Sequence, residues 1–233
     1  MPAYFHPVRE ADSWARLDAA CARDDVGIVV INPDSGFGTT ADDAYRWACS
    51  SLCRSGTTVA GYVDTAYASR PHADVVAEVR AYVASYGVGA AFLDQVTSTR
   101  VELPYYRELV RSIRRAGVGR VVLNPGVGPD RGYLEIADVV VTFEGPWAAY
   151  AAEDRLPARR RRRSAATWHL VHSTPPREQG RVIDAARRRG AAHVYVTERT
   201  LPNPWDRLPA RWESHPGPGG SAPPRGPGAT RCG

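Results

Sequence analysis

Eight short apolar runs, each closed by a polar residue, punctuate the chain: AYFHP (3–7), GIVVINP (27–33), VAGYVDT (59–65), AAFLDQV (90–96), RVVLNPG (120–126), DVVVTFEG (138–145), TWHLVHS (167–173) and AHVYVTE (192–198). They are rich in β-branched and aromatic residues and too short for helices, so each predicts a strand. Between them the period changes. In 73–87, Val75, Val76, Val79, Tyr82, Val83 and Tyr86 form one helical stripe, and 104–117 opens with proline and closes with glycine, as helices do. Continuous apolar strands alternating with amphipathic helices imply parallel strands joined by right-handed crossovers. Eight such units predict an α/β fold of the (β/α)8 TIM-type barrel class. Only residues 127–137 separate the fifth and sixth strands, so a short helix and an irregular barrel around strands 5 and 6 are expected. An open doubly wound sheet is the alternative built from the same elements.

At 233 residues and 43% hydrophobic composition the chain suits one such barrel, placed at residues 1–213. Residues 214–233 are dominated by Pro and Gly with little to bury, and are expected to be disordered. The formal net charge of +5 suggests nucleic acid until its sources are located. Five of the charges are the run Arg159–Arg163 and two are Arg225 and Arg231; removing those seven leaves the body at −2. A basic binding face is therefore not indicated, and nucleic acid is not an expected partner. The arginine run reads as a solvated connection, with an anion-binding or polymer-holding rim as its sharper alternative. All 30 basic residues are arginine, which excludes Schiff-base and lysine-base chemistry. The four cysteines, two of them (Cys49 and Cys53) one helical turn apart, do not form a disulfide framework and fit a reducing compartment. No leader or membrane span is visible, so the chain as written is expected in the cytoplasm, away from membranes; secretion would require a longer N-terminus. A monomer is expected.

Each predicted strand ends on polar groups: His6, Asn32 with Asp34, Asp64, Asp94 with Gln95, Asn124, Glu144, His172 and Glu198. In a parallel barrel these ends meet on the face where barrel enzymes hold their chemistry. Singly, Asp34 and Asn124 read as turn or cap residues; a whole ring of such ends reads as a site. The chemistry is narrowed by what is missing. One histidine in YFHP, without a second in His-x-His spacing, argues against a metal, and no cofactor is expected. The loops after strands seven and eight lack the glycines of phosphate sites, and no G-x-S-x-G elbow is present. What remains is a pair of carboxylates, Asp94 and Glu144, ending strands four and six. Backbones two strands apart lie roughly 9 to 10 Å from one another, and inward-leaning side chains bring such a pair into the range used in glycoside cleavage. Tyr62, Tyr67, Trp147, Tyr195 and Trp205 stand near strand ends, where flat rings either pack the rim or stack on sugars.

The ordered phrases AYFHP, VVINPDSG, GYVDTAYASR, FLDQ, YYRELV, VVLNPG, VVVTFE, HLVHS, YVTE and NPWDRLP resemble the spherulin-4 (spherulation-specific family 4) group from residue 3 to about residue 212. That resemblance implies a (β/α)8 barrel related to the enzymes of glycoside hydrolase family 135, which cleave α-1,4-linked N-acetylgalactosamine in polysaccharides. It also implies that Asp94 and Glu144 are the catalytic carboxylates and that the partner is an amino-sugar polymer or oligosaccharide. One position departs from the pattern: Gln95 stands where a second acid usually follows the first. If that second acid transfers a proton, the chain is impaired, and a non-catalytic carbohydrate-binding barrel is the alternative. The amide also removes a like charge beside Asp94, which favours its ionised form. Residues 94 and 95 can serve one sugar only if the strand has ended between them.

Overall fold

The computed structural model describes residues 1–23, 25–153 and 164–210. Eight strands alternate with helices: β1 (Pro2–Ala3), α1 (Ala11–Ala22), β2 (Ile28–Ile31), α2 (Asp43–Arg54), β3 (Thr58–Asp64), α3 (His72–Tyr86), β4 (Ala90–Asp94), α4 (Leu103–Arg115), β5 (Arg120–Leu123), α5 (Tyr133–Ile136), β6 (Val139–Pro146), α6 (Trp147–Ala152), β7 (Ala166–His172), α7 (Gln179–Arg188) and β8 (His193–Val196). All strand pairs are parallel and run in chain order. The sheet curls on itself: the Phe92 ring of β4 meets Trp168 of β7 across the interior at 6.1 Å. The seam between β8 and the two-residue β1 is spanned by the segment after β8, where the Trp205 carbonyl accepts the Tyr4 N–H at 3.1 Å.

The helices form where the apolar stripes placed them. In α3, Val75, Val76, Val79, Tyr82 and Tyr86 are buried against the sheet, and Gly87 ends the helix at φ 64°, a left-handed cap that glycine adopts without steric cost. Gly61 of β3 lets α3 lie close, since a Cβ there would overlap the Tyr82 ring. The connection between β5 and β6 holds only the four-residue α5. Strands β1, β2, β5 and β8 stop short of their apolar runs because the polar residues that close the runs leave the ladder for turns, as Asn32 does by accepting the Gly36 N–H at 2.7 Å.

One irregularity decides where a key side chain points. The β6–β7 register shifts between Val141 and Phe143, leaving Thr142 as the extra residue of a bulge. Val141 pairs with Trp168 and Glu144 with Leu170; register partners in a parallel sheet share a face, and Trp168 faces the interior. Without the bulge, alternation from Val141 would turn Glu144 outward. The extra residue aims it into the barrel mouth.

The Arg159–Arg163 run, the 214–233 tail and the last residues of the expected domain lie outside the described residues. Among the described residues, no helix is long and apolar enough to cross a membrane.

Candidate active site

Asp94 ends β4 and Glu144 lies near the end of β6, and Asn124, just past β5, stands between them. Its Nδ2 donates to Asp94 Oδ1 at 2.7 Å and to Glu144 Oε2 at 2.7 Å. Two such bonds from one nitrogen keep those oxygens no more than about 5.4 Å apart, close enough for both carboxyls to face one small group. The amide cannot turn over, because its Oδ1 accepts the Gly126 N–H at 3.0 Å. The NPG sequence builds this clamp. Gly126 sits at φ 69°, and its carbonyl accepts the Glu144 N–H at 2.8 Å, while the Asn124 backbone donates to Leu93 and accepts from Val96. Asn124 is thus tied to the end of β4 through its backbone and spans β4 and β6 through its side chain.

The two carboxyls differ in environment. Burial pushes the Glu144 carboxyl up to about 7; donors from Asn124 and the Trp205 indole oppose the shift, and the Asp94 charge adds to it. Asp94 is raised as well, mainly by burial and also by Asp64, against bonds from the Tyr62 hydroxyl, the Gln95 N–H and Asn124. A second acid in place of Gln95 would add a like charge to this upward shift; burial is the largest cause of the shift, and three donors oppose it. β4 has indeed ended at Asp94, and Gln95 turns to φ 50°.

Around the pair stand Tyr62, whose ring lies 5.5 Å from Tyr4, and Trp205, backed by Tyr195 at 5.6 Å and His172 at 6.1 Å. Burial lowers the His172 imidazole, whose Nδ1 is 2.9 Å from Ser173 Oγ. Asp64 borders the pair and accepts the Ala66 N–H at 2.6 Å. Tyr4 was not anticipated: both acids help burial raise its phenol, which puts it in the same mouth. Its signal in the sequence is its place in the first apolar run, two residues before His6.

Other predicted residues sit on the rim with different tasks. His6 accepts the Val8 N–H at Nδ1 and, through Nε2, bonds Asp42 at 2.9 Å, tying the first loop to the cap of α2. Asn32 and Asp34 shape the β2 loop, where the Asp34 N–H donates to the Gly36 carbonyl. Glu198 accepts from Gln179 and from the Ala210 N–H, anchoring the segment after β8. Trp147 lines a cleft of about 390 Å³ between α6 and α7, beside Arg181, Arg188 and Arg189, rather than the mouth. Tyr67 is 62% exposed in the loop after β3.

Comparison with known proteins follows the same lines. The profile described as Spherulation-specific family 4 matches residues 1–216. Spherulin-4 of Physarum polycephalum is 34% identical over 148 residues, covering 62% of this chain and 43% of that protein, so the shared region spans less than half of the relative's length. The crystal structure of Aspergillus clavatus Sph3 in complex with GalNAc superimposes with a TM-score of 0.78 at 26% identity, covering 91% of this chain and 92% of that one. The α-amylase of Geobacillus thermoleovorans complexed with acarbose matches at a TM-score of 0.53 and 9% identity over 85% of this chain and 68% of its own, which reflects the barrel alone.

Proposed function

The chain belongs to spherulation-specific family 4, and from that premise we propose that it is a glycoside hydrolase of amino-sugar polysaccharide, with N-acetylgalactosamine as the sugar, acting through Asp94 and Glu144. The observation that carries this reading is the single Asn124 amide donating to both carboxylates at 2.7 Å. It supports a retaining mechanism in which both groups grip one anomeric centre. Glu144, raised to about 7, keeps its proton in roughly half of the molecules at neutral pH and gives it to the glycosidic oxygen as the bond from the anomeric carbon breaks. An Asp94 oxygen forms the new bond to that carbon. Water then attacks the same carbon, Glu144 takes its proton, and Asp94 leaves as the carboxylate. The GalNAc carried by the similar Sph3 structure supports the choice of sugar.

The test is reducing-end release from α-1,4-linked N-acetylgalactosamine polymer by wild type, Asp94→Asn and Glu144→Gln, with proton NMR of the first-formed anomer. Release by wild type alone, with retained configuration, is expected; inverted product removes the nucleophile role from Asp94. Gln95 favours a second reading, a carbohydrate-binding barrel without turnover. A wild-type chain that binds the polymer and never releases reducing ends establishes that reading and ends the first.

A further inference from the structure

The loop after β3 holds an arrangement that the two carboxylates do not require. Ala66, Tyr67 and Ala68 take φ values of 45°, 53° and 71° in succession. Three consecutive residues with a Cβ in the left-handed region are costly, because the Cβ crowds the following carbonyl at each one. Glycine would adopt the turn freely, yet here it carries a tyrosine.

The turn is held by bonds that converge on the end of β4. The buried Thr65 hydroxyl lies 2.9 Å from the carbonyls of both Asp94 and Gln95, and the Tyr67 N–H donates to the Gln95 carbonyl at 2.8 Å. The Asp64 carboxylate accepts the Ala66 N–H, and Arg70 bonds the Asp64 carbonyl at 2.6 Å while pairing with Glu78 at 2.8 Å. This scaffold is rigid, and what it presents is a ring 62% exposed to water. Through the Gln95 bond, the Tyr67 backbone stands within about 11 Å of the Asp94 α-carbon along the bonded path, one or two sugar units away.

The wider rim is apolar in the same sense. Among the described residues, Val8, Tyr67, Val101, Val127 and Leu201 are exposed, and each stands in a loop following a strand; of the large exposed apolar side chains only Trp47, on α2, lies elsewhere.

We propose that Tyr67 is a stacking platform for a second sugar, the neighbour of the one held between Asp94 and Glu144. The inference rests on the carbohydrate reading and adds to it a subsite on the β3 side. Its ligand is a pyranose whose ring C–H face is apolar and continuous, linked to the sugar in the mouth. The strained turn then fixes the height and tilt of the ring before substrate arrives, so little side-chain freedom is lost on binding.

The experiment measures affinities for N-acetylgalactosamine and for its α-1,4-linked trisaccharide, by NMR titration of wild type, Tyr67→Ala and Tyr67→Phe, with thermal melts confirming that each variant is folded. The expected result for Tyr67→Ala is about a tenfold loss for the trisaccharide, equivalent to about 1.4 kcal/mol, with the monosaccharide unchanged. Tyr67→Phe, which keeps the ring face, retains the wild-type affinity for both. Trisaccharide affinity unmoved in Tyr67→Ala, or lost equally in Tyr67→Phe, overturns the platform and leaves the carboxylate pair untouched. If the wild type binds neither sugar, the carbohydrate reading itself falls and takes the platform with it.

Discussion

Asn124 is the residue on which the geometry of the pair depends, and its substitution has a signed outcome. Its amide lowers the pKa of both carboxyls, against the burial that raises them. Asn124→Ala therefore lets both rise further. The acid limb of the activity profile, set by ionisation of Asp94, and the alkaline limb, set by loss of the Glu144 proton, should both move to higher pH. The rate at the optimum should fall on the order of 100-fold, the scale of a misplaced reacting group. A pH–rate profile checks the direction, and an Asn124→Ala profile that keeps both limbs in place would falsify the shared-donor role. Glu144 also links pH to stability. Its folded pKa of about 7 lies above the ordinary glutamate value of 4.5, so the folded state keeps a proton that the unfolded chain has released. Stability contributed by the protonated form is full below the unfolded value and is lost as pH rises through the folded one. Glu144→Gln, always neutral, should accordingly be more stable than wild type at about pH 8, on the order of 1 to 3 kcal/mol, and near parity at about pH 4. Paired denaturant melts at the two pH values measure this.

Among the elements, β6 carries the feature with the largest leverage. Thr142 adds one residue to the strand, and that residue inverts the facing of everything after it. Deleting Thr142 should restore regular pairing with β7 and leave Glu144 opposite Leu170 with its carboxyl still in the mouth, whereas one residue inserted between Phe143 and Glu144 should turn that carboxyl out. Activity should survive the deletion and be lost on the insertion, with the far-ultraviolet circular dichroism of the barrel kept in both. A bulge of this kind was not legible in the sequence. DVVVTFEG reads as an unbroken strand with no glycine or proline at the critical place, and the irregularity expected near strands 5 and 6 came from the short connection, which became α5. The helices were more legible, because the Val75–Tyr86 stripe and the glycine after it leave α3 one way to lie. Strand ends were legible as positions but not as directions. Asp94, Asn124 and Glu144 do converge, whereas His6 and Glu198 spend their bonds on loops, and Trp147 lies along an outer cleft. Alternation along a strand decides facing, and a polar residue that ends a run has often left the strand already.

At the scale of the molecule, the eight units and their parallel order follow from the alternation of apolar runs and helical stripes, since few arrangements bury both. Closure is the part that no local pattern announces. The Trp205 carbonyl is bound by the Tyr4 N–H, its ring packs on Tyr195, and its indole N–H reaches Glu144. NPWD reads as a turn; nothing in it signals a bond to an acid some sixty residues earlier. A chain ending at residue 200 should lose the strap across the β8–β1 seam together with a donor to Glu144. Such a truncation should melt at lower temperature and show no sugar release, and restoring the chain through residue 210 should recover both.

The segment carrying Trp205 therefore gives the molecule an order of assembly. On the ribosome, both acids and their shared amide emerge well before the piece that seals the wall and donates to one of them. A half-made or clipped chain is left with an open seam and with Glu144 short of one donor, so the proposed site is complete only with the last turn of the barrel.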